Sequence, residues 1–216
     1  MYGGYSGEGG SANGTNITLI GDGNNINIAG VISGGNRGTD DCSLLGTKTL
    51  NIGTSEQGFV AADSQAFTIQ DIDVVKVSKD SQVAFANDFS IDKLIIELGE
   101  AAMSGNQFQV SITDGATFNT LTLVSSTDFS SDESNTLDLN SVFGDNASYV
   151  LASMQEHNTN LTVVDSSNQE WTTKNLNYGD DGTVSFNLGS QVPEPSVYAA
   201  VFGALALAFA LSRKRK

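Results

Sequence analysis

Short apolar runs, separated by glycine, asparagine and aspartate and recurring about every 8–15 residues, constrain this chain more than any other feature. Ile17-Thr18-Leu19-Ile20 is followed by Gly21-Asp22-Gly23-Asn24-Asn25, and Ile26-Asn27-Ile28 and Val31-Ile32 by Ser33-Gly34-Gly35-Asn36. Leu50-Asn51-Ile52, Phe67-Thr68-Ile69, Ile72 to Val77 and Val83-Ala84-Phe85 continue the pattern. β-Branched and aromatic residues suit strands, while glycine and asparagine suit turns. Strands this short, at this spacing, predict stacked coils, a short parallel β-solenoid over residues 16–87. Residues 1–15 are rich in Gly, Ser and Asn without an apolar period, and read as a flexible segment.

From Asp88 the glycine content falls and the runs lengthen. Leu94 to Leu98 reads as a central strand, and Phe108 to Ile112 alternates as a half-buried strand does. Asp114-Gly115 is a turn signal ahead of Phe118 to Val124, which predicts a hairpin or meander. Leu137 to Leu139, Tyr149 to Ala152, Leu161 to Val164 and Thr183 to Leu188 complete about seven strands, which suggests a small antiparallel β-sandwich over 88–190. No helix is expected before the tail, beyond a turn of one at Glu97 to Met103.

Residues 191–216 differ from everything before them. Pro193-Glu194-Pro195 holds the only two prolines, fifteen uncharged residues run from Val197 to Leu211, and Arg213, Lys214, Arg215 and Lys216 close the chain. An apolar helix of that length spans roughly 22 Å at about 1.5 Å per residue. A bilayer core of about 30 Å accepts it with local thinning and snorkelling of the basic residues. A soluble helix needs a polar face, and this run offers only Tyr198. The expectation is one C-terminal transmembrane helix over 197–212, anchored by Val197, Tyr198, Phe202, Leu205, Leu207, Phe209 and Leu211. Its basic end stays cytoplasmic, so the bulk of the chain lies outside the inner membrane.

This tail resembles the PEP-CTERM sorting signal of Gram-negative bacteria, with all three parts in order at the terminus. The resemblance covers Val192 to Lys216 and implies that the protein is a substrate of exosortase, an integral-membrane transpeptidase or protease. Pro193, Glu194 and Pro195 would then be residues that the processing enzyme recognises, and localisation would run from the inner membrane to the cell surface or extracellular matrix. The upstream half is loosely similar to β-helical passengers of bacterial surface proteins. Met1 to Tyr5 lacks the basic and apolar regions of a secretion signal. With the incomplete look of the stack, this leads to the expectation that the chain is a fragment of a longer protein.

Charge narrows the partners. All but one of the 25 acidic residues and six of the ten basic ones precede Pro193, giving −18 there and +3 beyond. Such a body repels nucleic acid. The expected partners are the processing enzyme, the bilayer through the tail, and an extracellular polysaccharide.

Catalytic groupings are sparse. Asp71-Ile72-Asp73 would place two carboxylates on one strand face roughly 7 Å apart, compatible with an inverting glycosidase pair. The same alternation also occurs on any solvent-facing strand. That pair carries the alternative reading, a β-helical polysaccharide-cleaving enzyme bearing the same tail. His157 is the single histidine and Cys42 the single cysteine, so neither a zinc site nor a disulfide is expected. Gly21-Asp22-Gly23-Asn24 reads as a turn rather than a calcium site, while Asp128 to Glu133 and Asp180-Asp181-Gly182 are equally open to calcium or to plain solvation. Trp171 reads as a core or edge contact. The expectation is therefore a structural or adhesive envelope protein, not an enzyme, with no cofactor and no metal.

Overall fold

The computed structural model describes residues 5–6, 11–22, 31–37, 43–60, 66–99, 108–113, 115–126 and 128–192. In chain order its strands are β1 (Tyr5–Ser6), β2 (Ser11–Leu19), β3 (Gly21–Asp22), β4 (Val31–Ser33), β5 (Asn36–Arg37) and β6 (Ser43–Ile52). They continue with β7 (Phe59–Val60), β8 (Thr68–Gln70), β9 (Val74–Val77), β10 (Val83–Ala84), β11 (Ser90–Glu97) and β12 (Val110–Ser111). The remainder are β13 (Thr117–Val124), β14 (Asn135–Asp138), β15 (Asn160–Val164), β16 (Glu170–Tyr178) and β17 (Thr183–Gln191). Two helices, α1 (Asn140–Phe143) and α2 (Ala147–Glu156), follow β14.

Nine strands form one sheet in the order β14-β17-β16-β15-β13-β11-β9-β6-β2. From β2 to β15 every pairing is parallel, and from β15 to β14 every pairing is antiparallel. The connections add four short parallel pairs, β1-β5, β3-β7, β4-β8 and β10-β12.

The register explains why the sheet holds. Ile17, Leu50, Val75, Leu94, Leu121 and Leu161 stand side by side across six strands. Two residues on, Leu19, Ile52, Val77, Ile96, Leu123 and Val163 form a second such row. All twelve are buried. Burying each aliphatic side chain is worth roughly 1.5–3 kcal/mol, and a one-residue slip of any strand would turn its whole set outward. The residues between the rows face the other way. Thr18, Asn51, Lys76, Ile95, Thr122 and Thr162 share one outer row, continued antiparallel by Thr172.

Buried polar groups beneath the sheet are paired. The Ser81 hydroxyl donates to the Ile52 carbonyl at 2.9 Å and accepts the Phe59 N–H at 3.0 Å, and Ser78 Oγ lies 2.7 Å from it. Gly53 sits over this pair at φ 79°, where an added Cβ would come 2.2 Å from Ser78 Oγ. Asn87 imitates a strand: its side-chain amide bonds both the N–H and the C=O of Ile69, at 2.9 and 3.0 Å.

The expected solenoid followed by a sandwich is not what forms. A single mixed sheet runs through 16–87 and 88–190 alike, and β11, β13 and β15 pair parallel, not antiparallel. The Asp114-Gly115 signal misled because the strands on either side of it take different partners. β12 pairs with β10, while β13 pairs with β11 and β15. Tyr149 to Ala152 lies in α2 rather than in a strand. Residues 11–15, expected to be flexible, begin β2. Among the described residues no helix is long and apolar enough to cross a membrane. The transmembrane helix expected over 197–212 lies outside the described residues.

Leu94 occupies the middle of the first aliphatic row and is fully buried. Leu94→Ala should lower the unfolding free energy by about 2–5 kcal/mol in urea titration. Lys76→Ala on the outer face should change it by no more than about 0.5 kcal/mol.

Candidate functional site

The sequence-predicted sorting residues Pro193, Glu194 and Pro195, the apolar run Val197 to Leu211 and the basic cluster Arg213 to Lys216 lie outside the described residues. What the structure does place is the point from which they continue. β17 ends at Gln191, and the Val192 N–H bonds the Glu170 carbonyl at 2.8 Å while its own carbonyl accepts from Gln169 Nε2 at 3.3 Å. Val192 also lines a groove of about 610 Å³.

That groove lies where the sheet changes from parallel to antiparallel. β11 supplies Lys93 and β13 supplies Thr120; β15 opens with Asn160, and β16 contributes Glu170, Leu176 and Tyr178. The C-terminal turn of α2 adds Met154 and Gln155, and Asn158 follows in the connection. Asn158 has φ 51°, the left-handed value with which many helices end. The ladder between β16 and β17 breaks register between Lys174 and Asn177, with Asn175 at φ 55°. Such a bulge re-aims the side chains beyond it, here Leu176 and Tyr178, which pack against the core while lining the groove.

The groove is close to electrically neutral. Among the described residues its only charged side chains are Lys93 and Glu170, and they pair with each other at 3.1 Å. Several lining hydroxyls are bonded within the protein: Thr162 to Thr122 at 2.8 Å, Thr173 to the Leu161 carbonyl at 2.8 Å, Thr159 to the Phe118 carbonyl at 2.9 Å. The side chains of Thr120, Gln155, Asn158, Asn160 and Tyr178 have no hydrogen-bond partner among the described residues. Burial pushes the Tyr178 phenol above its ordinary pKa. Such a site can hold a small polar molecule by hydroxyl and amide contacts; it offers no nucleophile paired with a base.

The carboxylates singled out from sequence are arranged otherwise than expected. Asp71 and Asp73 fall between β8 and β9 and not on a strand. Asp71 sits in a turn at φ 51°. The Asp73 carboxylate is held by Lys48, with Nζ at 2.8 Å and the backbone N–H at 2.7 Å. His157 is exposed just past α2. The acidic turns hold themselves. Asp181 accepts the hydroxyl of Thr183 at 2.6 Å and its N–H at 3.2 Å, and these bonds keep its carboxyl below the usual range. Among the described residues no cluster of three or more His, Cys, Asp or Glu is placed to hold a metal. Cys42, Gly23 and Asn24 lie outside the described residues.

Trp171 is half-buried, packs against the core and donates its indole N–H to Asp165 Oδ2 at 2.9 Å. The other oxygen of Asp165 accepts the N–H groups of Ser167 and Gln169.

No signal for the groove stood out in the sequence. Its residues come from five separate elements, and β16 itself reads poorly because its alternation shifts. Trp171 and Thr173 keep a spacing of two, then Leu176 and Tyr178 resume it one residue late. That shift is the mark of a bulge. No family model matches this chain, and neither a curated protein nor a solved structure does.

The Asp165 carboxyl is held below its ordinary pKa, chiefly by the Trp171 indole; partial burial opposes this and the Gln169 and Ser167 N–H groups add to it. A depressed carboxyl stabilises the fold above its unfolded pKa, and that contribution is lost as pH falls through the folded value. Trp171 is the only tryptophan. Its emission should therefore show an acid step below the ordinary carboxylate range, and Asp165→Asn should remove the step.

Proposed function

We propose that this protein is an exported component of a bacterial cell envelope or extracellular matrix. Its C-terminal Pro-Glu-Pro signal sorts it, and an exosortase-type enzyme processes it. The observation that carries the reading is the order of parts in the last 24 residues. Pro193-Glu194-Pro195 begins two residues beyond the end of β17, the uncharged run Val197 to Leu211 follows, and Arg213 to Lys216 close the chain. In this reading the apolar run lodges in the inner membrane with its basic end toward the cytoplasm. The β-rich body faces the periplasm, and later the cell surface or matrix.

The role is structural or adhesive rather than catalytic. The net charge of −18 before Pro193 suits a soluble, mutually repelling surface layer and disfavours nucleic acid as a partner. The implied partners are the processing enzyme, the lipid bilayer and an extracellular polysaccharide. No cofactor or metal enters the proposal.

Intact mass measurement on protein recovered from the cell surface tests the processing step. The mature form should lack Arg213 to Lys216, and Pro193→Ala with Pro195→Ala should cause the full-length form to accumulate. Recovery of a surface form that still carries the four basic residues would sink the reading.

A further inference from the structure

We propose that the groove between β15, β16 and the end of α2 is a binding site for an uncharged saccharide chain. This deepens the function proposed above by naming the site and the class of ligand, and it rests on that reading only for where the ligand is met.

Three observations carry it. First, five lining side chains, Thr120, Gln155, Asn158, Asn160 and Tyr178, have hydroxyl or amide groups with no protein partner among the described residues. Each of these groups both donates and accepts hydrogen bonds. Sugar hydroxyls do the same, so the match needs no ionic group on either side.

Second, charge selects against the alternatives. Lys93 and Glu170 neutralise each other at 3.1 Å, which leaves no free cation among the described lining residues to hold a carboxylate or phosphate. Beyond it the body carries a large acidic surplus, which repels uronate-rich or sulfated chains. A cationic ligand would be drawn to the exposed acidic loops rather than to this neutral patch.

Third, the groove has a firm apolar floor. Leu176 and Tyr178 are half-buried against the core, in the register set by the bulge at Asn175. A pyranose ring has a C–H face that packs on such a surface while its rim hydroxyls meet the polar wall. The volume, about 610 Å³, falls within the range of roughly 300–1,000 Å³ typical of small-ligand sites.

The test uses the full-length chain in detergent micelles. Calorimetric titration is run with neutral oligosaccharides (gluco-, xylo-, manno- and galacto-configured) and with oligogalacturonate as the anionic control. At least one neutral oligosaccharide should bind, and oligogalacturonate should not. Asn160→Ala and Tyr178→Phe should each weaken binding, and Tyr178→Ala should do so by at least about tenfold, equivalent to about 1.4 kcal/mol. The thermal midpoint of Asn160→Ala should match that of the parent, so its effect reports the groove and not folding. Binding of none of the neutral chains, binding that all three variants leave intact, or preference for oligogalacturonate would each overturn the proposal. The C-terminal mass of the same protein recovered from cells reports separately on sorting, so the two readings fail independently.

Discussion

Lateral contact between aliphatic side chains in neighbouring parallel strands is the interaction on which this structure depends. Twelve residues in two rows, from Ile17 and Leu19 to Leu161 and Val163, align because the register carries through five successive strand pairings. Each strand alone is too short to bury anything. Joined, they present a continuous apolar face, and Ile32, Phe59, Ile69, Val83 and Val110 of the short connecting strands, Val150, Leu151 and Met154 of α2, and Val184, Phe186 and Leu188 of β17 belong to the same core. Packing of this kind leaves the exposed and half-buried part of the opposite face, Thr18, Asn51 and Lys76, free to carry polar residues, while Thr122 and Thr162 are buried there and bond each other.

The groove is a by-product of the change in strand direction. Up to β15 the chain adds strands in parallel, and the last of these connections, from β13 to β15, is the longest and runs through β14, α1 and α2. After it β16 and β17 return antiparallel, and the β16 ladder slips by a residue on the way. The end of α2 and the displaced half of β16 then cannot close fully over the start of β15. An acidic molecule thus acquires a neutral concavity, with the two charges of its described lining turned on each other. Its polar lining is distributed over elements distant in sequence, so selection at single positions could adjust it without touching the aliphatic rows.

Much of the strand content was legible because alternation is a local property. Ile17 to Leu19, Leu50 to Ile52, Leu94 to Glu97, Phe118 to Val124 and Thr183 to Leu188 all lie in strands. Pairing was not legible, since nothing in Phe108 to Val124 says which neighbour each strand will choose. The turn signal at Gly115 predicts a hairpin or meander, whereas β12 and β13 on either side of it take different partners. α2 was missed for a subtler reason. Val142, Phe143, Ala147, Val150, Leu151 and Met154 do follow a helical spacing, but Tyr149 to Ala152 also fits a short strand, and an apolar run so brief does not choose between them. The carboxylates of Asp71 and Asp73 illustrate the opposite error. Spacing suggested a shared face, but Asp71 turns through a positive φ and Asp73 closes an ion pair with Lys48.

β17 is an interior strand, bonded along one side to β14 and along the other to β16, and Val192 fastens its end to Glu170 and Gln169. A pull on the chain beyond Val192, along the strand axis, therefore loads both ladders in shear. Many bonds must yield together, whereas a strand peeled from an edge gives way one bond at a time. A protein fastened to a surface from this end would meet mechanical drag with its strongest geometry.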